Sequence, residues 1–496
     1  MGFLSIFFYY ILVPLFILGI AINIHEFGHF IIARFFGMRV EAYSFFGLGP
    51  RIWGFKWGNT DYRISAIPLG AYVKLYGDEA TGPLEGGSSE PKPNVDEWLE
   101  ERNIGKADPD SPVAPVPESE LYELRPRWQK FLVMLGGPFM NLALALAIPF
   151  GAALLYGIPS MPAPIVGVVR AGSDAEKQGV KEGDRIVAFN GTENPTWRTV
   201  QIEAFLYPDK PLATTVDRNG QRIQLELTPR RQKTFGGQEG GVIDMDVDMG
   251  AMPAIVGDVS PDTPAAEAGL QKGDRMLAIN GTNVRNPQQV SGLVQQFKAE
   301  PIRLMIERDG QTKEITATVR KLPDGTERLG FGFLLPDLPL EPATTYTAAQ
   351  HSIGVNVLTI KTIGTVLGQV FSGQRSARDA GISGPVGIFQ QSAEATRALG
   401  WEGVFVILSG ISLSLGVFNL LPIPMLDGGQ IMVLGIEKVL SWFGKTLSMV
   451  AKERIQLTGL AVILLLMVFV FFLDFSRIAS NFSSKEPVPA ANSNSK

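Results

Sequence analysis

The chain has 496 residues, 19% of which are charged, and its mean hydropathy of +0.14 is high for a soluble protein. Its length predicts several domains, and its net charge of −5 gives no reason to expect nucleic-acid binding. It contains no cysteine, which excludes disulfides and thiolate metal sites, so any zinc site must use His, Asp or Glu.

The first apolar run carries the strongest motif. It predicts a retained membrane helix over residues 1–36, because it is long enough to cross a bilayer and shows no cleavage signal. It contains HEFGH, in which His25 and His29 are about one helical turn apart and Glu26 lies beside them. This is the HExxH spacing of zinc hydrolases, with two metal-binding histidines and a glutamate that holds water. The alternative is a pair of buried histidines bonded to neighbouring helices.

Chance is a weak explanation for this motif. The chain has three histidines, and with that composition an accidental HExxH is expected on the order of once in a thousand such chains. The third histidine, His351, stands in a different segment. A distant carboxylate is therefore the better candidate for a third metal ligand.

Residues 37–77 predict a membrane-associated β-hairpin or small sheet. Two stretches rich in aromatic and β-branched residues flank the turn-like GNTD at 58–61. The aromatic residues beside a membrane helix indicate that this region dips into the bilayer interface. An open sheet edge there could pair with an extended peptide. The alternative is an ordinary soluble β-subdomain.

A change of composition follows at residues 78–128, which are rich in Pro, Gly, Ser and acidic residues and predict a cytoplasmic insertion. The second predicted membrane helix covers residues 129–158 and contains GGPFMN at 136–141. Its small residues allow a close approach of helices. Asn141, a polar group at membrane depth, either orients a zinc ligand or a substrate backbone, or bonds to another helix.

An internal repeat occupies residues 164–322. The residues of GVKEGDRIVAFNG at 179–191 recur at an offset of 90 as GLQKGDRMLAING at 269–281. A repeat of this length predicts a domain duplicated once, over residues 164–250 and 251–322. The pattern resembles PDZ domains of bacterial proteases, which bind extended peptides or chain ends by strand addition. The alternative is that the pair only blocks access.

Residues 323–400 predict a linker with an amphipathic interfacial helix at about 344–372. The third membrane helix, over 401–429, leads into NLLPIPMLDGG at 419–429, where two prolines unwind the helix. Irregular backbone at membrane depth is tolerated only where it lines a protein cavity. Asp427 is therefore the best candidate for the missing metal ligand, although a helix-capping Asp is the alternative.

The distribution of charged residues predicts how the chain is oriented in the membrane. Residues 430–455 carry four Lys or Arg against two Glu and predict a cytoplasmic loop, followed by a fourth membrane helix at 456–475 and a disordered tail at 476–496. Four spans then put both termini and the repeats outside. His25, His29 and Asp427 all fall toward the inner ends of their helices, at similar depth.

The chain resembles the site-2 protease family of intramembrane metalloproteases, and within it the RseP branch of Gram-negative bacteria. The resemblance covers HEFGH, GGPFMN, the two PDZ-like repeats and NLLPIPMLDGG. It implies a polytopic α-helical membrane protein with four transmembrane helices, a membrane-associated β-region that guides substrate and two tandem PDZ domains. It also implies zinc held by His25, His29 and Asp427, catalysis by Glu26, and substrate contact by Asn419.

The resemblance further implies an inner-membrane enzyme of the envelope stress response, with its active site toward the cytoplasm. Its expected substrates are single-pass membrane proteins trimmed by an earlier protease, such as an anti-sigma factor of the RseA type or remnant signal peptides. Lipid and, at the PDZ domains, peptide ends are further expected partners. Two alternatives are a membrane PDZ scaffold with a structural zinc site and a metal transporter.

Overall fold

The computed structural model describes residues 3–67, 70–76, 117–169, 172–233, 239–247, 253–284, 286–297, 300–321, 327–334, 339–445 and 447–483. The chain forms two compact units. The membrane-helix unit comprises Met1–Leu155, Ala343–Leu358 and Ile382–Lys496, and the repeat unit comprises Tyr156–Pro342 and Thr359–Gly381. Most of the predicted acidic insertion and the end of the predicted tail lie outside the described residues.

The helices are, in chain order, α1 Phe3–Phe7, α2 Val13–Phe35, α3 Arg127–Tyr156, α4 Asp174–Lys177, α5 Trp197–Leu206, α6 Pro264–Glu267, α7 Pro287–Gln296, α8 Thr345–Phe371, α9 Pro385–Leu399, α10 Trp401–Asn419, α11 Asp427–Trp442 and α12 Met449–Ser483. A π-helix, Phe8–Leu12, joins α1 to α2, and a 3-10 turn, Glu118–Glu120, precedes α3.

The strands are, in chain order, β1 Val40–Phe46, β2 Leu48–Trp57, β3 Thr60–Ile67, β4 Tyr72–Leu75, β5 Ile158–Pro159, β6 Val166–Val169, β7 Arg185–Phe189, β8 Thr192–Glu193, β9 Leu212–Arg218, β10 Gln221–Leu227, β11 Arg230–Lys233, β12 Glu239–Val242, β13 Met245–Val247, β14 Ala254–Val259, β15 Arg275–Ile279, β16 Thr282–Asn283, β17 Pro301–Arg308, β18 Gln311–Thr318, β19 Arg320–Lys321, β20 Glu327–Arg328, β21 Phe331–Leu334 and β22 Leu340–Glu341.

Several helices are long and apolar enough to cross a membrane. By length and composition, five stretches among the described residues qualify: Phe8–Phe35, Arg127–Tyr156, Thr345–Phe371, Trp401–Asn419 and Arg454–Ser476. Four of these stretches match the predicted spans. The fifth is α8, which has the lowest mean hydropathy of the five, 1.3. Its predicted interfacial location stays a prediction.

Four predicted boundaries in the membrane-helix unit differ from the structure. The third membrane helix ends at Asn419 and not at 429, because the prolines after it break the helix. The predicted loop 430–455 contains most of helix α11, and the predicted tail contains the end of α12, which continues to Ser483. The predicted linker 323–400 also contains helix α9, which begins at a proline, a favoured first helical residue.

Residues 40–75 form a four-stranded sheet where the sequence predicts a hairpin or small sheet. The strand order is β2-β3-β1-β4, with β1 and β3 parallel and the other pairs antiparallel. β2 is one edge and exposes large aromatic side chains, including Trp53 and Trp57. β4 is the other edge, and it packs against helix α2.

Each repeat packs its own core. The first has the sheet β10-β9-β7-β8 with the separate pair β13-β6, and buries Ile186 and Phe189. The second has the sheet β18-β17-β15-β14-β21 and buries the equivalent Met276 and Ile279. Because β21 pairs with β14, the second repeat extends to Leu334, past its predicted end at 322.

The second half of α8 belongs to the repeat unit. Lys361 Nζ lies 2.6 Å from Oε1 of Glu203, a buried side chain on α5. Gln369 Nε2 donates to the carbonyl of Leu206, at 2.7 Å. This part of α8 is therefore held by polar contacts with the first repeat.

Candidate metal centre and active site

Helix α2 presents both histidines of the HExxH motif on one face. His25 and His29 are buried, and their Nε2 atoms lie 3.2 Å apart. The spacing of four residues brings them together because it is close to one helical turn. Gly28 lets helix α3 approach so closely that a Cβ at this position would clash with the carbonyl of Gly136. The two histidines therefore lie at a tight contact between two helices.

The carboxylate of Asp427 reaches the same place from the other end of the chain. Helix α10 ends at Asn419, residues 420–426 are irregular, and Asp427 is the first residue of α11. The turn depends on two glycines, because a Cβ at Gly428 or Gly429 would clash with carbonyl groups of residues 420–426. Glycine at these positions thus allows the loop to fold against the start of α11.

The three side chains form a set with metal-ligand geometry. Nε2 of His25 lies 3.0 Å from Oδ2 of Asp427, and Nε2 of His29 lies 3.4 Å from Oδ1. In a tetrahedral zinc site with ligand bonds of about 2.0–2.1 Å, neighbouring ligand atoms are about 3.3 Å apart. Oδ2 of Asp427 is buried and accepts no hydrogen bond in the described structure. Two imidazole nitrogens and a carboxylate oxygen therefore fit a zinc ion with one position left open.

The second ring nitrogen of each histidine also has a neighbour. Nδ1–H of His29 donates to the carbonyl of Val133, at 2.7 Å, which leaves the lone pair on Nε2. Nδ1 of His25 lies 3.3 Å from the side-chain amide of Asn141. The same amide lies 3.3 Å from Oγ of Ser412 on helix α10.

A cavity of about 340 Å³ opens beside the three side chains. Glu26 lines it, and its Oε2 accepts a hydrogen bond from the backbone N–H of Val73 on strand β4, at 3.2 Å. Asn419 also lines it, with Nδ2 3.4 Å from Nε2 of His25. Glu26 and Asn419, predicted from separate motifs, thus border the same space as the metal-ligand set.

Comparison with known proteins assigns the family. The family described as Peptidase family M50 matches residues 13–466, which include every residue of this site. The chain belongs to peptidase family M50.

Relatives of this M50 chain cover almost its full length. A predicted zinc metalloprotease of Neisseria meningitidis is 30% identical over 94% of this chain and 98% of its own length. The regulator of sigma-E protease RseP of Escherichia coli is 28% identical, and the protease RseP of Yersinia pestis is 29% identical. Each of these two matches covers 93% of this chain and 97% of the relative.

A search of solved structures gives the PDZ domain of an SdrC-like protein from Listeria innocua, with 19% identity and a TM-score of 0.16. That match covers 18% of the M50 chain and 100% of the Listeria chain. Identity and TM-score this low assign neither fold nor function to the repeats.

Membership of M50 confirms the predicted site-2 protease family, and the chain is a metalloendopeptidase of the site-2 protease type with several apolar helices. M50 enzymes are zinc-dependent. The scaffold and metal-transporter alternatives do not describe such an enzyme. The individual roles assigned above to His25, His29, Asp427, Glu26 and Asn419 stay predictions.

Sequence reasoning missed the groups that surround the predicted site residues. Val73 and Val133 act through backbone atoms, for which side-chain identity gives no signal. Ser412 lies in an apolar helix and outside any motif. Asn141 was visible as the polar end of GGPFMN, but its partner His25 is 116 residues away.

Proposed function

We propose that this M50 chain is an intramembrane zinc endopeptidase that cleaves transmembrane segments of single-pass membrane proteins. His25, His29 and Asp427 hold the zinc ion, and Glu26 is the catalytic acid–base group. One observation carries the proposal: two imidazole nitrogens and a carboxylate converge at 3.0–3.4 Å beside a cavity that Glu26 lines.

Glu26 handles the proton in this reaction. Its Oε2 accepts a hydrogen bond from the N–H of Val73, and we propose that Oε1 transfers the proton. Glu26 takes a proton from the water that attacks the scissile carbonyl and delivers it to the leaving amine. When bound, a zinc ion supplies Lewis acidity, which polarises a carbonyl and acidifies water.

Strand β4 is suited to hold the substrate in an extended conformation. A substrate helix hides its amides in internal hydrogen bonds and must unwind before attack. β4 is an edge strand, and the N–H of Val73 donates to Oε2 of Glu26. A peptide added to this edge would present its amides next to Glu26. The side-chain amide of Asn419 lines the same cavity, which supports its proposed contact with the peptide backbone.

The proposed membrane arrangement has four spans: residues 8–35, α3, α10 and the apolar part of α12. We place it in the bacterial inner membrane, with the termini and repeats on the periplasmic side and the active site toward the cytoplasm. Helix α8 is not counted as a span, because Lys361 and Gln369 in its second half bond to the first repeat. A helix held by a protein domain at these positions does not present them to lipid.

The proposed substrates are anti-sigma factors of the RseA type and remnant signal peptides, after a first protease has removed the outer domain. Two relatives are named for RseP, one of them as a regulator of sigma-E, which supports a role in the envelope stress response. We further propose that the repeats are two tandem PDZ domains that exclude untrimmed substrates. A docking site for the trimmed chain end is the competing proposal.

Deletion of the repeats distinguishes the proposal that they filter substrates from the proposal that they dock the trimmed chain end. The deletion should remove residues 164–334, so that β14 and β21 leave together and no unpaired strand remains. A filter predicts that untrimmed substrate is cleaved prematurely. A docking site predicts that cleavage of the trimmed substrate is lost.

Glu26→Gln tests the enzyme itself. The amide cannot transfer the proton, and we expect cleavage of a model transmembrane substrate to fall about 10³-fold while bound zinc is unchanged. The matched control is Glu41→Gln, at an exposed glutamate on strand β1 that pairs with Lys74 at 3.5 Å. Undiminished cleavage by Glu26→Gln would refute the proposed role of Glu26.

A further inference from the structure

We propose that Asn141 and Ser412 are positioning residues that hold His25 in the ring tautomer required for metal binding. This inference rests on the proposed zinc ligation by His25. Both side chains are fully buried, between helices α2, α3 and α10. They form a chain from Nδ1 of His25 to the Asn141 amide and on to Oγ of Ser412, with 3.3 Å at each step.

The two histidines differ in the group that contacts Nδ1, the ring nitrogen that faces away from the ligand set. His29 Nδ1 faces a backbone carbonyl, that of Val133, which can only accept a hydrogen bond. His25 Nδ1 faces a side-chain amide, which can accept through its oxygen or donate through its nitrogen. The tautomer of His29 is thus fixed by the backbone, whereas that of His25 depends on the amide of Asn141.

Metal binding selects one orientation of that amide. Nε2 of His25 can bind a cation only through its lone pair, so the ring proton must be on Nδ1. The Asn141 atom facing Nδ1–H must then be the oxygen, Oδ1. In the structure Nδ2 faces Nδ1 and Oδ1 accepts from Ser412. A half-turn of the amide exchanges these two atoms within the same outline.

Ser412 can serve both orientations because a hydroxyl donates and accepts. It donates to Oδ1 in the orientation of the structure, and after the half-turn it accepts from Nδ2–H. After the half-turn, one of the two Nδ2–H groups therefore still has an acceptor, Oγ of Ser412. Ser412 supports the metal-binding orientation without selecting it, while the acceptor Oδ1 of Asn141 selects the tautomer.

Zinc affinity of the purified full-length protein, measured by competition with a chelator, tests the inference. Asn141→Leu removes the acceptor at similar volume, and we expect zinc to bind about 10- to 100-fold more weakly. Asn141→Asp keeps an acceptor toward Nδ1–H, and we expect affinity at least equal to the natural protein. Ser412→Ala should weaken binding by less than Asn141→Leu.

The chain supplies matched controls. Ser409 Oγ, on α10, and Asn356 Nδ2, on α8, each donate to the carbonyl of Ala145 on α3, at 3.1 Å. Ser409→Ala removes a part-buried hydrogen bond to α3 and Asn356→Leu a buried one, and neither bond involves His25. We expect both to retain the natural zinc affinity.

Each outcome bears on one claim. If the natural protein binds no stoichiometric zinc, the proposed function fails before the inference is reached. If it binds zinc and Asn141→Leu binds equally well, the inference is overturned. It is also overturned if Asn141→Asp is as weak as Asn141→Leu, because Asn141 would then act as a donor. Circular dichroism of the zinc-free proteins checks folding. If Asn141→Leu does not fold, Asn141→Asp carries the test, and zinc binding weaker than that of the natural protein would overturn the inference.

Discussion

The two units of this chain satisfy their buried polar groups in opposite ways. In the repeat unit, Asp184 bonds to Arg218 and Asp274 to Arg308, the same pair within each copy and at the same sequence separation of 34 residues. In the membrane-helix unit, His25 meets Asp427 from the opposite end of the chain. This ion pair is thus local to each repeat, whereas the site depends on helices brought together by small residues.

This difference predicts how far the structural effect of a mutation extends. A change inside one repeat should stay in that repeat, because each copy has its own core and its own ion pair. A change where α3 packs directly against His25 and His29 should reach the metal site, because ligands and supporting groups come from α2, α3, α10 and α11.

The largest effect is expected from Gly137→Ala on α3. A Cβ there would clash with Nε2 of His29 and lie 2.7 Å from Nε2 of His25. Either the helices separate or the rings turn, and we expect zinc affinity to fall by more than about 100-fold. Zinc content after purification, together with a chelator titration, measures the effect.

The matched control is Gly151→Ala on the same helix. A Cβ at Gly151 meets nothing within 4 Å, and Ala is the better helix former. We expect unchanged zinc affinity and a gain of about 0.5–1 kcal/mol in the free energy of unfolding. Equal zinc affinity in the two alanine variants would break the comparison, because close packing would then be irrelevant to the site.

Asp274→Asn should destabilise the second repeat alone. Asp274 is buried and accepts two hydrogen bonds from Arg308. We expect a loss of about 2 kcal/mol, less than for a fully buried pair because Arg308 is partly exposed. Hydrogen exchange should quicken in β15, while β7 in the first repeat serves as the internal control. Equal quickening in both strands would contradict the independence of the repeats.

The ion pair of Asp274 and Arg308 should also make the stability of the second repeat depend on pH. Burial alone would raise the pKa of Asp274, but hydrogen bonds from Arg308 and from the backbone N–H of Gln271 outweigh it and lower the pKa. The stabilisation is therefore complete above the unfolded pKa of about 3.9 and is lost as the pH falls through the lower folded value. We expect the protection of β15 amides, measured relative to their intrinsic exchange rates, to fall below about pH 4 in the natural protein. Asp274→Asn should show a flatter pH dependence there.

The smallest effect is expected from Asp474→Asn on α12. The Asp474 carboxylate accepts from the N–H groups of Gly384, Val386 and Gly387 at the start of α9. An amide keeps only one acceptor oxygen, and we expect a loss of about 1 kcal/mol in the membrane-helix unit. Thermal unfolding in detergent measures it. Ser392→Ala, which removes a hydrogen bond within α9, is the control and should cost less.

Sequence and structure agree best where short motifs contain the side chains that meet in the fold. HEFGH and LDGG named His25, His29 and Asp427, which the fold brings within 4.8 Å of one another. The constant offset between the repeats located both copies, because each copy buries the apolar residues of the repeated sequence in its own core. The last strand of the second repeat was missed, since β21 returns to pair with β14 after a break in the pattern.

Other features could not be predicted because they depend on tertiary contact. The link from Glu26 to the sheet is made by the backbone of Val73, and no residue type signals a backbone donor. Helix α11 was predicted to be a loop because its charged residues served only to infer the orientation in the membrane. Its apolar face, which indicates a helix, was not used. Asn141 was recognised as unusual, but only the packing of α3 against α2 shows that it faces His25.

Zinc analysis of the natural protein and of Asp427→Ala is the most direct test of the central claim, that ligands from two distant helices hold one ion. We predict one zinc ion per natural chain and a loss of most of it in Asp427→Ala, with the helical circular dichroism signal unchanged. An Asp427→Ala protein that retains a full zinc ion with natural affinity would contradict the account.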